Sequence, residues 1–357
     1  MVIRAAAHKA RSWHNTKFMA VDPCASFAAG AAGDRDVRDV CGGAKMLVAE
    51  DAARFVYADQ PSCTVVDIDG PQKDWLCVVT VSEEDEGGSS QYVASLSSSD
   101  AGRTFSRPRR VSEDTPSSWA VPIRLASGMV AIFYTHNDAH PEIDPDTGNA
   151  RTRVDMTGPL WLRTTNDFGK SWGERILVKQ RVTDCDRSNV YGGNTIVGWA
   201  VSPPILLSDG GLLMQYSKIC GGKSWVQRGL AKPNGFMWQS EVWFVRAHAA
   251  LELTPDRWVW DTLPKGERGV RARPTGFGVG WVNEEGAVVE LSNGVLISYF
   301  RTAEGWVGER RSEDGGESWL EDSDGFATLA PASGLGEGRR MKHPRATMEV
   351  KPSFQNT

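Results

Sequence analysis

One octamer occurs three times along the chain. Residues 98–105 read S-S-D-A-G-R-T-F, residues 165–172 read T-N-D-F-G-K-S-W, and residues 312–319 read S-E-D-G-G-E-S-W. All three fit [S/T]-x-D-x-G-x-[S/T]-[W/F], and each position has a physical reason. Asp and Ser/Thr side chains bond the backbone of a turn, the glycine admits positive φ, and the closing aromatic folds back as an apolar anchor. Asp100 and Asp167 are 67 residues apart, and Asp167 and Asp314 are 147 apart, which is two periods of about 73. A fourth copy without the octamer is therefore expected between the last two. A second marker agrees: L-A-S-G at 125–128, L-S-D-G at 207–210 and L-S-N-G at 291–294 each separate two apolar runs, and their glycines are 82 and 84 residues apart.

Strand-like runs surround these turns in four groups. They cover residues 64–68, 75–82 and 92–98; then 121–125, 130–136 and 159–164; then 204–207, 212–218 and 241–247; and finally 287–291, 295–301 and 306–312. The third group lacks an octamer, and Trp258 and Trp260 are expected to supply its anchors. No long stretch has amphipathic helical periodicity. Sheets of about four short strands, repeated in this way, indicate an all-β fold, a β-propeller. Anchoring also begins to account for 14 Trp against 12 Phe and 6 Tyr.

Composition excludes several functions. With 40 basic and 45 acidic side chains the net charge is −5, which does not suit a nucleic-acid binder, and no apolar run is long enough for a membrane helix. No phosphate loop, nucleotide fingerprint or zinc-ligand spacing occurs, so no metal site and no cofactor is expected, with calcium in a loop left open. Residues 276–280 are glycine-rich but lack the spacing and the following helix of a dinucleotide site. The six cysteines (Cys24, Cys41, Cys63, Cys77, Cys185 and Cys220) contain no C-x-x-C pair and are expected as isolated buried thiols. Residues 1–50 read as a leader or weakly structured segment. Their early basic residues are transit-peptide-like, and they lack the apolar core of a secretory signal. Residues 51–351 form the propeller and 352–357 a tail.

The octamers resemble the Asp boxes, or BNR repeats, of the sialidase (neuraminidase) superfamily, from about Phe55 to Val350. Residues 181–184, 258–264, 283–302 and 338–346 resemble more narrowly an uncharacterised sialidase-like group. The resemblance implies a six-bladed propeller with its site near the axis and structural Asp boxes at the rim. By that measure 55–330 holds four blades and 338–350 begins a fifth, so the expected ring is incomplete, with four to five blades, and the chain reads as cut short.

Residues 285–291 (E-G-A-V-V-E-L), Asn293-Gly294 and Arg301 are similar to a sialidase segment. The resemblance implies that Glu285 matches the glutamate that polarises a nucleophilic tyrosine, and Arg301 one of three arginines that clamp a sugar carboxylate. Antiparallel strands agree: the chain returns after the turn to the end where it began, so Glu285 and Arg301 face one mouth. Glu284 competes with Glu285. The sequence departs from the family pattern in two places. None of Tyr57, Tyr92, Tyr134, Tyr191, Tyr216 and Tyr299 follows Arg301, and the early Phe/Tyr-Arg-Ile-Pro motif is absent. Further candidates are His136, which ends a strand, and Asp155, at the far side of a long loop, as acid/base groups. Lys218 and Arg345 are candidate anchors, with Lys342 and His343 beside the latter. Trp199, Trp281 and Trp306 can stack on sugar faces.

These readings imply an exo-acting, sialidase-like glycoside hydrolase whose partner is a glycan with a terminal, acidic sugar. Two alternatives remain: a non-catalytic binding propeller, and a propeller polysaccharide lyase with His136 as the proton-abstracting base.

Overall fold

The computed structural model describes residues 57–67, 74–84, 86–111, 116–137, 153–220, 239–272, 282–302 and 307–320. The expected leader, the expected start of a fifth blade, the tail, Cys24, Cys41, Trp281, Trp306 and the Lys342–His343–Arg345 group lie outside these residues. Among the described residues, no helix is long and apolar enough to cross a membrane.

The described chain is four antiparallel sheets taken in sequence. The first holds β1 (Tyr57–Asp67), β2 (Asp74–Ser82), β3 (Tyr92–Ser98) and β4 (Arg109–Arg110); the second holds β5 (Ser117–Arg124), β6 (Val130–His136), β7 (Leu160–Thr165) and β8 (Ile176–Leu177). The third holds β9 (Gly198–Trp199), β10 (Ile205–Leu206), β11 (Leu212–Ile219), β12 (Ser240–Ala247) and β13 (Trp260–Leu263); the fourth holds β14 (Asn283–Glu290), β15 (Leu296–Thr302) and β16 (Val307–Ser312). A five-residue helix, α1 (Asp184–Ser188), precedes β9.

The middle strands explain why sheets stack in this order. Alternate side chains of a strand point to opposite faces, and β6 and β11 are buried on both. Val130, Ile132 and Tyr134 join Leu76, Val78 and Val93 of the first sheet. Phe133 and Leu162 instead join Leu212, Met214 and Trp243 of the third. On its other face the third sheet sends Leu213 and Phe244 against Val288, Leu296 and Phe300 of the fourth. Each sheet is thus a propeller blade whose first strand lies against the preceding blade. The four strand groups and four blades expected from the repeat are present. Trp258 is buried in the third blade and Trp260 packs beside it, where the octamer is missing.

The octamers close the third strand of their blades in one common geometry. Gly102 and Gly169 N–H groups donate to the hydroxyls of Ser98 and Thr165 at 2.8 and 3.0 Å. The N–H groups of Thr104, Ser171 and Ser318 donate to the carboxylates of Asp100, Asp167 and Asp314 at 2.8, 2.9 and 2.9 Å. Two successive residues have positive φ, 59° and 83° at Ala101 and Gly102, and 66° and 76° at Phe168 and Gly169. The last aromatic packs inward, and Trp319 stacks on Phe244 with centroids 4.4 Å apart. The Asp side chains therefore hold turns, as the resemblance implies.

Cysteine usage corrects the sequence expectation. The described cysteines are paired, Cys63 with Cys77 and Cys185 with Cys220. Cys63 and Cys77 are direct register partners across β1 and β2, and Cys220, just beyond β11, ties down α1. Spacing along the chain did not reveal these pairs because strand register creates one and a packed helix the other.

The octamers make a pH-dependent contribution. Hydrogen bonds, led by the Thr104 hydroxyl at Asp100 and the Ser171 hydroxyl at Asp167, hold both carboxyls at about 2, below the ordinary 3.8. A depressed native pKa stabilises the fold above the unfolded value, and that contribution is lost as pH falls toward the native one. Asp167→Asn is therefore expected to be less stable than the wild type at pH 5, with the difference shrinking between about pH 4 and pH 2. Denaturant unfolding at both pH values checks this; a gap independent of pH contradicts it.

Candidate functional site

In an antiparallel meander, the start of the first strand, the end of the second and the start of the third lie together. The register places Tyr57 opposite Ser82, Ser117 opposite His136, Glu241 opposite Lys218, and Glu284 opposite Arg301. The octamers, after the third strands, lie at the other end. Bonds between blades align these ends: Thr135 Oγ1 donates to the Gly198 carbonyl at 3.3 Å, and Ser240 Oγ to Glu284 Oε1 at 3.0 Å. We call this end the mouth.

Three arginines at the mouth share one arrangement. Arg301, 26% exposed, is bound by Glu284, whose side chain is fully buried. Arg153, 28% exposed, is bound by the fully buried Asp155, and Arg271, 27% exposed, by Glu241, which is 1% exposed. A buried charge survives only with good partners. Glu284 accepts a hydrogen bond from Ser240, and Glu241 accepts from Trp243 Nε1 at 3.0 Å and from the Gly269 N–H at 2.8 Å. The carboxylates fix the guanidinium planes and leave each arginine side chain about a quarter exposed.

The structure brings Glu285 to Arg301 as well, at 2.6 Å, with the Glu285 side chain 12% exposed. Both glutamates lie within β14, not before it as the apolar run alone implies. Glu285 sits in a β-bulge with φ 46°. Two other first strands carry the same device. Gln60 in β1 has φ 56° and Trp119 in β5 has φ 63°, each at a register shift. Left-handed backbone costs a side-chain-bearing residue roughly 1–2 kcal/mol.

The remaining candidates lie at the mouth but are covered. His136 is buried, its Nδ1 2.8 Å from Ser117 Oγ and 3.1 Å from the Pro116 carbonyl. Asp155 uses both oxygens on Arg153, which also meets Glu86 at 2.8 Å. Burial opposes the charge of Arg153, but Asp155 and Glu86 outweigh this and hold its pKa above the ordinary arginine value. Arg153 is thus the outward group of that pair. Lys218 has no exposed surface. Its ammonium donates to Asp186 at 2.6 Å and to the Arg181 carbonyl at 3.1 Å and lies over the Trp243 ring. Burial pulls Lys218 below the usual lysine range despite Asp186. Lys218 is a fully covered ammonium that braces α1 against β11.

Sequence reasoning missed Arg271 and Tyr57. Arg271 follows Val270, whose bridge to Val242 brings the segment alongside β12; this short pairing leaves no periodic signal. Tyr57 opens β1 and donates to Asp59 at 3.3 Å. Burial first, then Asp59, Glu86 and Asp155, raise its pKa well above the ordinary tyrosine value. Cys185, Cys220 and Glu241 bring metal-ligating atoms together. The two sulfurs are bonded to each other, however, and Glu241 is engaged by Arg271.

No family model and no curated protein sequence matches the chain. A protein of unknown function from Dyadobacter fermentans superposes with a TM-score of 0.53 at 14% identity, covering 75% of this chain and 68% of that one. An intramolecular trans-sialidase from Ruminococcus gnavus gives 0.46 at 14% identity, covering 81% and 73%. A Hadza microbial sialidase gives 0.45 at 15% identity, covering 70% and 44%, so the chain spans less than half of that protein. The fold is a β-propeller, with four blades among the described residues. In this propeller the expected pair of Glu285 and Arg301 sits on the first two strands of the fourth blade, at the end opposite the octamers.

The Lys218–Asp186 pair tests how the mouth is held. Removing one member of a buried pair leaves an uncompensated charge, at a cost of about 3–5 kcal/mol. Asp186→Ala is expected to lose about that much stability, whereas the double variant Asp186→Ala/Lys218→Met recovers a large part of it. Denaturant unfolding of both measures the difference; equal losses contradict it.

Proposed function

We propose that the mouth binds the terminal acidic sugar of a glycan and hydrolyses its glycosidic bond. The observation that carries this reading is the set of three part-exposed arginines, each seated on a buried carboxylate. A guanidinium held from behind presents the planar fork that matches a carboxylate. Arg301 and Arg271 stand on neighbouring blades linked through Ser240 and Asn283: Asn283 accepts from the Ala272 N–H at 2.8 Å, and its own N–H donates to Ser240 at 3.0 Å. Arg153 offers the same group from the second blade.

Glu285 is the acid/base group of this proposal, because it is the carboxylate beside Arg301 that retains exposed surface. In hydrolysis the leaving oxygen takes a proton, the anomeric C–O bond breaks, and the hydroxide part of water joins the anomeric carbon. Glu285 is placed to give or take that proton. Asp155 supports Arg153, and His136 stiffens the second blade. The burial of His136 argues against the lyase reading. It also favours the second reading, a propeller that binds acidic glycans without turning them over, since Glu285 is then left without an exposed acid/base partner from the second blade.

A panel of fluorogenic glycosides, N-acetylneuraminic acid and glucuronic acid among them, decides between these. Turnover of an acidic substrate is expected, with kcat reduced about 10²-fold or more in Glu285→Gln. Arg301→Ala is expected to raise KM for acidic substrates about tenfold or more and to change neutral ones little. Binding of acidic glycans without turnover supports the second reading. No binding of any glycan, or unchanged kinetics in both variants, overturns the proposal.

A further inference from the structure

The three first-strand bulges share more than a backbone angle. In each, the N–H of the left-handed residue leaves the ladder and is accepted by a side-chain oxygen. Asp59 Oδ1 takes the Gln60 N–H at 2.7 Å, Thr80 Oγ1 the Trp119 N–H at 3.0 Å, and Ser217 Oγ the Glu285 N–H at 2.9 Å. Thr80 and Ser217 both lie on the second strand of the preceding blade. The first blade has no preceding blade among the described residues, and Asp59 takes that place. The third blade interrupts its first strand at the same level, between β9 and β10, where the register also slips by two residues. The bulge is therefore a repeated feature of the first strands, with a side-chain acceptor from the preceding blade in two cases and from the adjacent Asp59 in the first blade.

A left-handed position kept only for chain geometry suits glycine, and among the described residues glycine takes eleven of the seventeen positive-φ sites, with Ala101 and Phe168 in the octamer turns among the other six. At the three bulges the chain carries Gln, Trp and Glu instead. Bulges re-aim side chains, and strained residues concentrate where function holds them. The three differ in what they offer. Glu285 is the charged member. Trp119 is nearly covered and lies against Trp199, centroids 5.9 Å apart, forming an apolar wall. Gln60 keeps part of its surface open at the mouth, on the first strand of its blade. Its amide carries an acceptor and two donors, the complement of neighbouring hydroxyls on a sugar ring.

We infer that Gln60 is a glycan-binding residue, the first blade's counterpart of Glu285, which hydrogen-bonds ring hydroxyls of the sugar whose carboxylate the arginines hold. This rests on the proposed glycan site.

The test is calorimetric titration of the full chain with 3′-sialyllactose and methyl β-D-glucuronide, alongside thermal unfolding. Wild type is expected to bind at least one probe. Gln60→Gly removes the amide and relieves the left-handed backbone, so its melting temperature should equal or exceed the wild-type value while affinity falls about tenfold. Gln60→Ala should lose the same affinity with the backbone cost retained. If wild type binds and both variants bind equally well, the inference about Gln60 fails and the glycan site stands. If affinity and melting temperature fall together in Gln60→Gly, the role is structural and the inference fails. If wild type binds neither probe, both readings fail.

Discussion

A sheet that is apolar on both faces cannot stand in water, and this constraint orders the molecule. β6 and β11 bury every side chain, even-numbered positions against one neighbour and odd-numbered positions against the other. The chain meets the requirement by laying the first strand of each new blade on the last completed sheet. Stacking in sequence follows, and with it one common direction for all first strands. The two ends of the assembly then differ in kind. One end collects the octamer turns, whose Asp carboxylates bond to groups within the same eight residues. The other collects strand ends whose partners come from different blades.

That second end is where charge is held. Glu284, Glu241, Asp155 and Asp186 are buried carboxylates contributed by separate elements, and each is matched by a cation. Lys218 is fully covered and serves as mortar beneath α1. The three arginines remain partly open, because a guanidinium spreads its donors over a wide plane that a single buried carboxylate does not cover. Covered pair and open arginines thus arise from one principle, with different reach.

Much of the fold is legible because its signals are local. The octamers need only eight residues, and β6, β11 and β15 are apolar runs bounded by a turn. Glu285 and Arg301 are legible for the same reason, since a hairpin returns the chain to its start. What escapes depends on register or on distant contacts. Gln60-Pro61 breaks the alternation of β1, so the strand starts earlier than its apolar run. The Cys63–Cys77 bond needs that shifted register. Lys218 reads as a mouth cation until α1, more than thirty residues earlier, is seen to cover it. Arg271 finds Glu241 through a single bridge at Val270.

The central claim is that the mouth, not the octamer end, holds an acidic sugar through arginines seated on buried carboxylates. A crystal structure of the protein with a bound acidic monosaccharide tests this directly. The account predicts the sugar carboxylate in contact with Arg301 and Arg271, with Glu285 nearest the anomeric oxygen. A sugar bound at the octamer end, or one whose carboxylate touches none of the three arginines, would contradict it.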